Sequence, residues 1–253
     1  MTFDRNSSLE EWRKQAEAGD AAAQVSLGWA YVSGQAGEQN DSTAVKWFRM
    51  AAAENFSPAH FCLGFMYKQG RGVEKDSAAS AKSYRLAAEQ GLESAQLELA
   101  HLYQDDRDHV EATKWYRMAA EQGNALAQHN LGATYQDGEG ADQDHAEALK
   151  WYRMAADQGH APAQYDLGVI YQNGEGVDQD HAEAMKWYRM ATDQGHAPAQ
   201  YNVGCMYITG RSVNRDKAEA VRWFRMAADQ DYELASEGLK RLESTSKPWW
   251  KFW

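Results

Sequence analysis

The chain has 253 residues and carries 37 acidic against 26 basic side chains, a net charge of −11. Neutralising a nucleic-acid backbone or an anionic lipid surface takes clustered Lys and Arg. No such cluster is present, so nucleic acid and acidic membrane are disfavoured as partners.

From the N-terminus, residues 1–8 read as a short tail. They lack a basic stretch followed by an apolar one, so no signal peptide is expected. No apolar run approaches the ~20 residues needed to cross a bilayer. A soluble, cytoplasmic protein is expected, and Cys62 and Cys205, too far apart in the sequence to staple one unit, are expected as reduced, part-buried thiols. Leu9 to Gly19, with Trp12 and Ala16, reads as a lone amphipathic helix that caps the N-terminal end of a repeat array.

The array itself is written in one recurring string. Lys46-Trp47-Phe48-Arg49-Met50, Lys114-Trp115-Tyr116-Arg117-Met118, Lys150-Trp151-Tyr152-Arg153-Met154, Lys186-Trp187-Tyr188-Arg189-Met190 and Arg222-Trp223-Phe224-Arg225-Met226 are its copies, the last four tryptophans at intervals of 36 residues. A fixed period of this length is the mark of one supersecondary unit copied along a solenoid, each copy burying its apolar face on its neighbours. Leu27-Gly28, Leu63-Gly64, Leu99-Ala100, Leu131-Gly132, Leu167-Gly168 and Val203-Gly204 fall in register, each followed by a tyrosine, so six units are legible. Ala199, Val203 and Tyr207 line one face of a first helix, and Gly204 removes a side chain where a second helix comes close.

A glycine loop comes next, then Asn40, Asp76, Asp108, Asp144, Asp180 or Asp216, which read as N-caps of the second helix. Glu111, Glu147, Glu183 and Glu219 stand three residues on, the capping-box spacing. The second helix carries the tryptophan string, whose indoles are assigned to packing rather than to ligand stacking, and whose arginines are assigned to solvent. It ends near Gly91, Gly123, Gly159 or Gly195, with Pro58, Pro162 and Pro198 opening the next first helix. Two units depart from the pattern: the second has Ser83 in place of tryptophan, and the third lacks four residues between Tyr103 and Asp108, which is expected to interrupt the regular curvature.

Leu-Gly-x-x-Tyr, then a loop such as Gly176-Val177-Asp178-Gln179-Asp180, then Ala-x-x-Trp-Tyr-x-x-Ala-Ala, resembles the Sel-one-like repeat (SLR) family over roughly residues 9 to 240. The resemblance implies an all-α, right-handed solenoid of antiparallel helix pairs, similar to tetratricopeptide repeats. The expected organisation is one solenoid domain over 9–242, made of the capping helix, repeats at about 21–58, 59–94, 95–126, 127–162, 163–198 and 199–235 and then the end of the last helix, followed by a C-terminal tail over 243–253. It also implies a noncatalytic adaptor or scaffold that binds another protein, a basic one or an extended segment, in its concave groove. A narrower alternative is an immunity protein neutralising a bacterial toxin or effector. A third is the β-lactam-binding, hydrolase-like activity of some cysteine-rich relatives, for which this chain lacks the paired cysteines.

By the same similarity the groove is expected on the first-helix positions away from the Ala/Leu/Tyr face: Trp29, Phe61, Phe65, His101, His129, Tyr165 and Tyr201, with Val32 and Ile208 on the same strip. The alternative for each is packing of one first helix on the next. In the tail, Trp249, Trp250, Phe252 and Trp253 put four aromatics into five residues, expected to dock on this chain, on a second copy or on a partner, with a membrane interface as the alternative. No cofactor or metal is expected: the acidic loops around Glu139 and Glu175 lack calcium-loop spacing, and His109, His145 and His181 occur one per unit without a chelating partner at i+4.

Overall fold

The structure, a computed structural model, describes residues 5–244. Among them are fourteen α-helices and no strand. The chain divides into two compact units, Met1–Gln122 and Gly123–Trp253. The first holds α1 (Arg5–Glu17), α2 (Ala21–Val32), α3 (Asp41–Ala53), α4 (Ser57–Gln69), α5 (Ser77–Glu89), α6 (Glu93–Asp105) and α7 (His109–Glu121). The second holds α8 (Ala125–Asp137), α9 (His145–Asp157), α10 (Ala161–Asn173), α11 (His181–Asp193), α12 (Ala197–Thr209), α13 (Lys217–Ala228) and α14 (Glu233–Ser244). Even-numbered helices from α2 to α12 open a pair, and odd-numbered ones from α3 to α13 close it. The lone leading helix α1 begins at Arg5 rather than Leu9 and buries Ala16 against Ala23 and Leu27.

The helix ends follow their sequence signals. Asn40, Asp76 and Asp108 each accept one backbone N–H in the first turn of the following helix; Asp144, Asp180 and Asp216 each accept two. The capping box is only half formed, which corrects the expectation. Glu147 and Glu183 do not reach back; they pair with Lys150 at 3.1 Å and Lys186 at 2.7 Å. The reason is that the N-cap N–H is already engaged: Asp144 donates to the Tyr135 carbonyl at 2.9 Å and Asp180 to the Tyr171 carbonyl at 2.8 Å, leaving no orphan donor for the glutamate.

Within a pair, the ring after the tryptophan position is the wedge. A Cβ added to Gly28, Gly64, Gly132, Gly168 or Gly204 would come within 2.4, 2.6, 2.8, 2.4 and 2.6 Å of the rings of Phe48, Tyr84, Tyr152, Tyr188 and Phe224. Hence the glycine in Leu-Gly-x-x-Tyr. The tryptophans pack less uniformly than the sequence implies: Trp151 and Trp187 are buried, while Trp47, Trp115 and Trp223 are half-buried.

Successive pairs are tied by polar contacts. The arginines of the string are exposed apart from the half-buried Arg117, yet Arg49 and Arg189 donate to the hydroxyls of Tyr67 and Tyr207 in the next pair, both at 3.2 Å, and Arg85 and Arg153 to Tyr103 and Tyr171, so they are not simply solvated. Deeper, a buried glutamine recurs early in the first helix. Gln164 donates to the Ala156 carbonyl at 3.1 Å and accepts from Gln194 at 2.9 Å; Gln96 donates to Ala88 at 3.2 Å and accepts from Gln122 at 2.7 Å.

Candidate protein-interaction surface

On the first helices, the expected strip is real but not free-standing. Each aromatic or histidine rests on the wedge ring of its own pair: Trp29 on Phe48 with centroids 5.7 Å apart, Phe61 on Tyr84 at 5.5 Å, His101 on Tyr116 at 5.6 Å, His129 on Tyr152 at 5.5 Å, Tyr165 on Tyr188 at 5.9 Å and Tyr201 on Phe224 at 5.3 Å. In the second unit the residue that opens the next first helix adds a tilted ring contact: His160 with His129 and His196 with Tyr165, both at 5.1 Å, and Tyr232 with Tyr201 at 5.7 Å. Phe65 lies 5.8 Å from Trp29. All are half-buried except Trp29, which is 37% exposed. These side chains thus pack chiefly on the second helix of their own pair and still show an edge to solvent.

Val32 and Ile208, expected on the strip, are buried at 8% and 0% exposure. They cluster with Phe48 and Phe224, the pairs whose wedge is a phenylalanine. In three of the four pairs whose wedge is a tyrosine the same position is glutamine: Gln136 accepts from Tyr152 at 2.9 Å, Gln172 from Tyr188 at 3.3 Å, and Gln104 from Tyr116; the fourth, with Tyr84, has Lys68 there. A buried hydroxyl must be satisfied, and a phenyl ring needs only an apolar neighbour.

Six consecutive segments, 21–56, 57–92, 93–124, 125–160, 161–196 and 197–232, match the Sel1 repeat. The chain belongs to the Sel1 repeat family. Its structure is similar to that of c5321, a protective antigen of uropathogenic Escherichia coli strains displaying an SLR fold, at 33% identity and a TM-score of 0.88, covering 96% of this chain but only 54% of that one. It is also similar to a Sel1 repeat protein from Oxalobacter formigenes, at 36% identity and a TM-score of 0.74, over 84% of this chain and 89% of that one. A search among curated proteins found no match.

The strip differs in chemistry between the two groups of Sel1 repeats. In the first unit it is aromatic, and the Trp29 indole N–H donates to Cys62 Sγ at 3.2 Å, while Lys68 Nζ meets Glu98 at 2.8 Å. In the second the Tyr165 and Tyr201 rings stand beside polar groups, and His129 Nε2 shares a hydrogen bond with Asp166 Oδ2 at 2.7 Å. The sequence offers His160 and His196, a ring just before Ala-Pro, only as one-per-repeat histidines without a chelating partner, and Asp166 and Tyr232 carry no such signal.

The titratable groups are set for packing. Burial holds His101, His160 and His196 below the ordinary histidine range, so they are neutral at pH 7. Burial pushes the free Cys62 thiol up to about 12 and Cys205 up to about 11, so neither is a thiolate nucleophile. Among the described residues no three His, Cys, Asp or Glu side chains gather as metal ligands, and no helix is long and apolar enough to cross a membrane. The acidic loop around Glu175 is held by Asn173 at 2.7 Å and Gln136 at 3.2 Å. Trp249, Trp250, Phe252 and Trp253 lie outside the described residues.

Proposed function

We propose that this chain is a noncatalytic protein-binding module of the adaptor or scaffold kind, which engages its partner through the half-exposed strip of the first helices. Sel1 repeats typically serve as protein-interaction modules. The observation that carries the reading is the two-sided support of Tyr165 and Tyr201. Each ring is held between its wedge ring and a ring at the next helix start, yet keeps an open edge. A ring fixed in this way loses little side-chain freedom on binding, which is what makes an aromatic an efficient anchor.

The net charge of −11 favours basic partners and faster encounter with them. The free thiols Cys62 and Cys205 support a reducing, cytoplasmic setting.

The test is site-specific photocrosslinking in the native cell, with a photoreactive residue at Trp29, Tyr165 or Tyr201 and a control at Met154, which is 40% exposed on a second helix. The reading expects one discrete protein adduct from the strip positions and none from Met154. Adducts from Met154 alone would refute it.

A further inference from the structure

Asp166 and Glu98 hold the same place in the first helices of repeats five and three, and their surroundings differ. Glu98 has a cation of its own: Lys68, from the preceding first helix, meets it at 2.8 Å. At the place of Lys68 the fourth repeat has Gln136, which accepts from Tyr152 and donates to Glu175 instead. Asp166 is left with His129, which engages Oδ2 at 2.7 Å. Among the described residues Oδ1 accepts no hydrogen bond and no Lys or Arg pairs with the carboxylate, and 29% of the side chain is exposed.

The carboxylate lies within the strip. Burial raises the hydroxyls of Tyr152, Tyr165 and Tyr188 above the ordinary tyrosine range, and the nearby Asp166 charge adds to the effect. His160 and His196 also feel that charge, but burial dominates and keeps them neutral, so they bring it no cation. The wider field has the same sign. Residues 125–144 and 161–180, the first helix and glycine loop of repeats four and five, contain four Asp or Glu each and no Lys or Arg. The cations of these repeats, Lys150, Arg153, Lys186 and Arg189, all stand on second helices, where they meet Glu147, Tyr171, Glu183 and Tyr207. Arg211 and Arg241 act on Cys205 and Tyr201, at the sixth repeat.

We propose that the second-unit strip selects its partner by a basic side chain: an extended segment of another protein lays an apolar residue on the open edges of Tyr165 and Tyr201 and pairs an arginine or lysine with Asp166. Charge complementarity fixes this occupant. The surface offers a carboxylate with one oxygen unengaged, half-withdrawn from water and so little screened, in a stretch that supplies no Lys or Arg of its own. An acidic segment would meet repulsion there. The inference rests on the strip being the binding surface, and adds which repeat selects and for which charge.

The probe is a display library of random linear peptides, selected on the full chain, with the selected peptides then titrated singly by fluorescence anisotropy. The expected result is a shared basic residue beside an apolar one, and a loss of affinity of roughly tenfold or more on Asp166→Asn, which keeps an acceptor for His129 but not the charge. A charge exchange is the second arm: Asp166→Lys should reject the selected peptide and accept its counterpart with the basic residue changed to glutamate. Thermal melts check that the variants fold. Peptides that need Tyr165, losing affinity on Tyr165→Ala, but bind the folded Asp166→Asn chain undiminished overturn the inference and leave the strip as the binding surface. Basic peptides indifferent to both changes report only the net charge of −11 and overturn it as well. So does a library with nothing enriched, in which case the adducts expected from Tyr165 and Tyr201 in the cell decide the strip separately.

Discussion

Gln158 donates its side-chain amide to Oε1 of Gln128 across 30 positions of sequence, at 2.7 Å. Gln128 is buried, and the same contact links Gln194 to Gln164 and Gln230 to Gln200, both at 2.9 Å. The rung fails in the first repeat. Gln24 donates to the Ala16 carbonyl, but its Oε1 is buried without a partner, because the residue 30 positions on is Glu54, a carboxylate with no proton to give.

Glu54→Gln should therefore stabilise the first unit by about 1 kcal/mol, the usual net value of a hydrogen bond that satisfies a buried acceptor. Urea unfolding of the two chains checks it; an unchanged or lower midpoint would show that the rung is not formed. The converse change, Gln194→Met, removes the donor to the buried Gln164 oxygen and should cost about 1–3 kcal/mol.

The second repeat has His60 at this buried position, and Gln90 turns instead to Asn55 and the Leu86 carbonyl. Burial holds His60, like His160 and His196, below its ordinary value of 6.5. The fold thus refuses protons that the unfolded chain accepts. Stability from these groups is full above pH 6.5 and falls as the pH drops towards the depressed folded values, by at most about 1.4 kcal/mol per pH unit for each histidine. Thermal melts between pH 7.5 and 5.5 should show the decline, and His60→Gln should both raise stability at pH 7 and flatten the slope.

Gly168→Ala should destabilise by about 1–3 kcal/mol, since the new Cβ would lie 2.4 Å from the Tyr188 ring and overpacking forces the wedge to shift. The third repeat already carries Ala100 at this position. There Ala100→Gly should bring no relief and cost about 1 kcal/mol of helix propensity. Denaturation midpoints of the two variants should move in the same direction for opposite changes in volume.

The pairing of wedge and strip can be exchanged. Tyr152→Phe leaves the Gln136 amide oxygen without the hydroxyl at 2.9 Å and should cost about 1–2 kcal/mol. Adding Gln136→Ile reproduces the Phe224 and Ile208 pair and should recover most of the loss. A double-mutant cycle with no coupling would show the two positions to be independent.

Local order was readable in advance because its causes are local. Asp144 caps α9 through the N–H groups of Ala146 and Glu147, two and three residues away. The left-handed turn at Gly159, with a φ of 86°, needs only the absence of a Cβ. Period, caps and breakers thus determined six helix pairs and a leading helix. The strip was legible for Trp29, Phe61, Tyr165 and Tyr201 but not for Val32 and Ile208, whose burial depends on whether the ring from the second helix is phenylalanine or tyrosine.

Only the tertiary structure decided which polar groups meet across repeats. The Gln158–Gln128 rung and the Lys68–Glu98 pair join residues far apart in the chain, and such contacts exist only once the wedge rings have seated on their glycines. The repeat by itself determined the helices and their order, since each is stabilised within about a turn of chain. Where buried amides, lysines and loops find partners, or lack them, is a matter of distances that close only on packing.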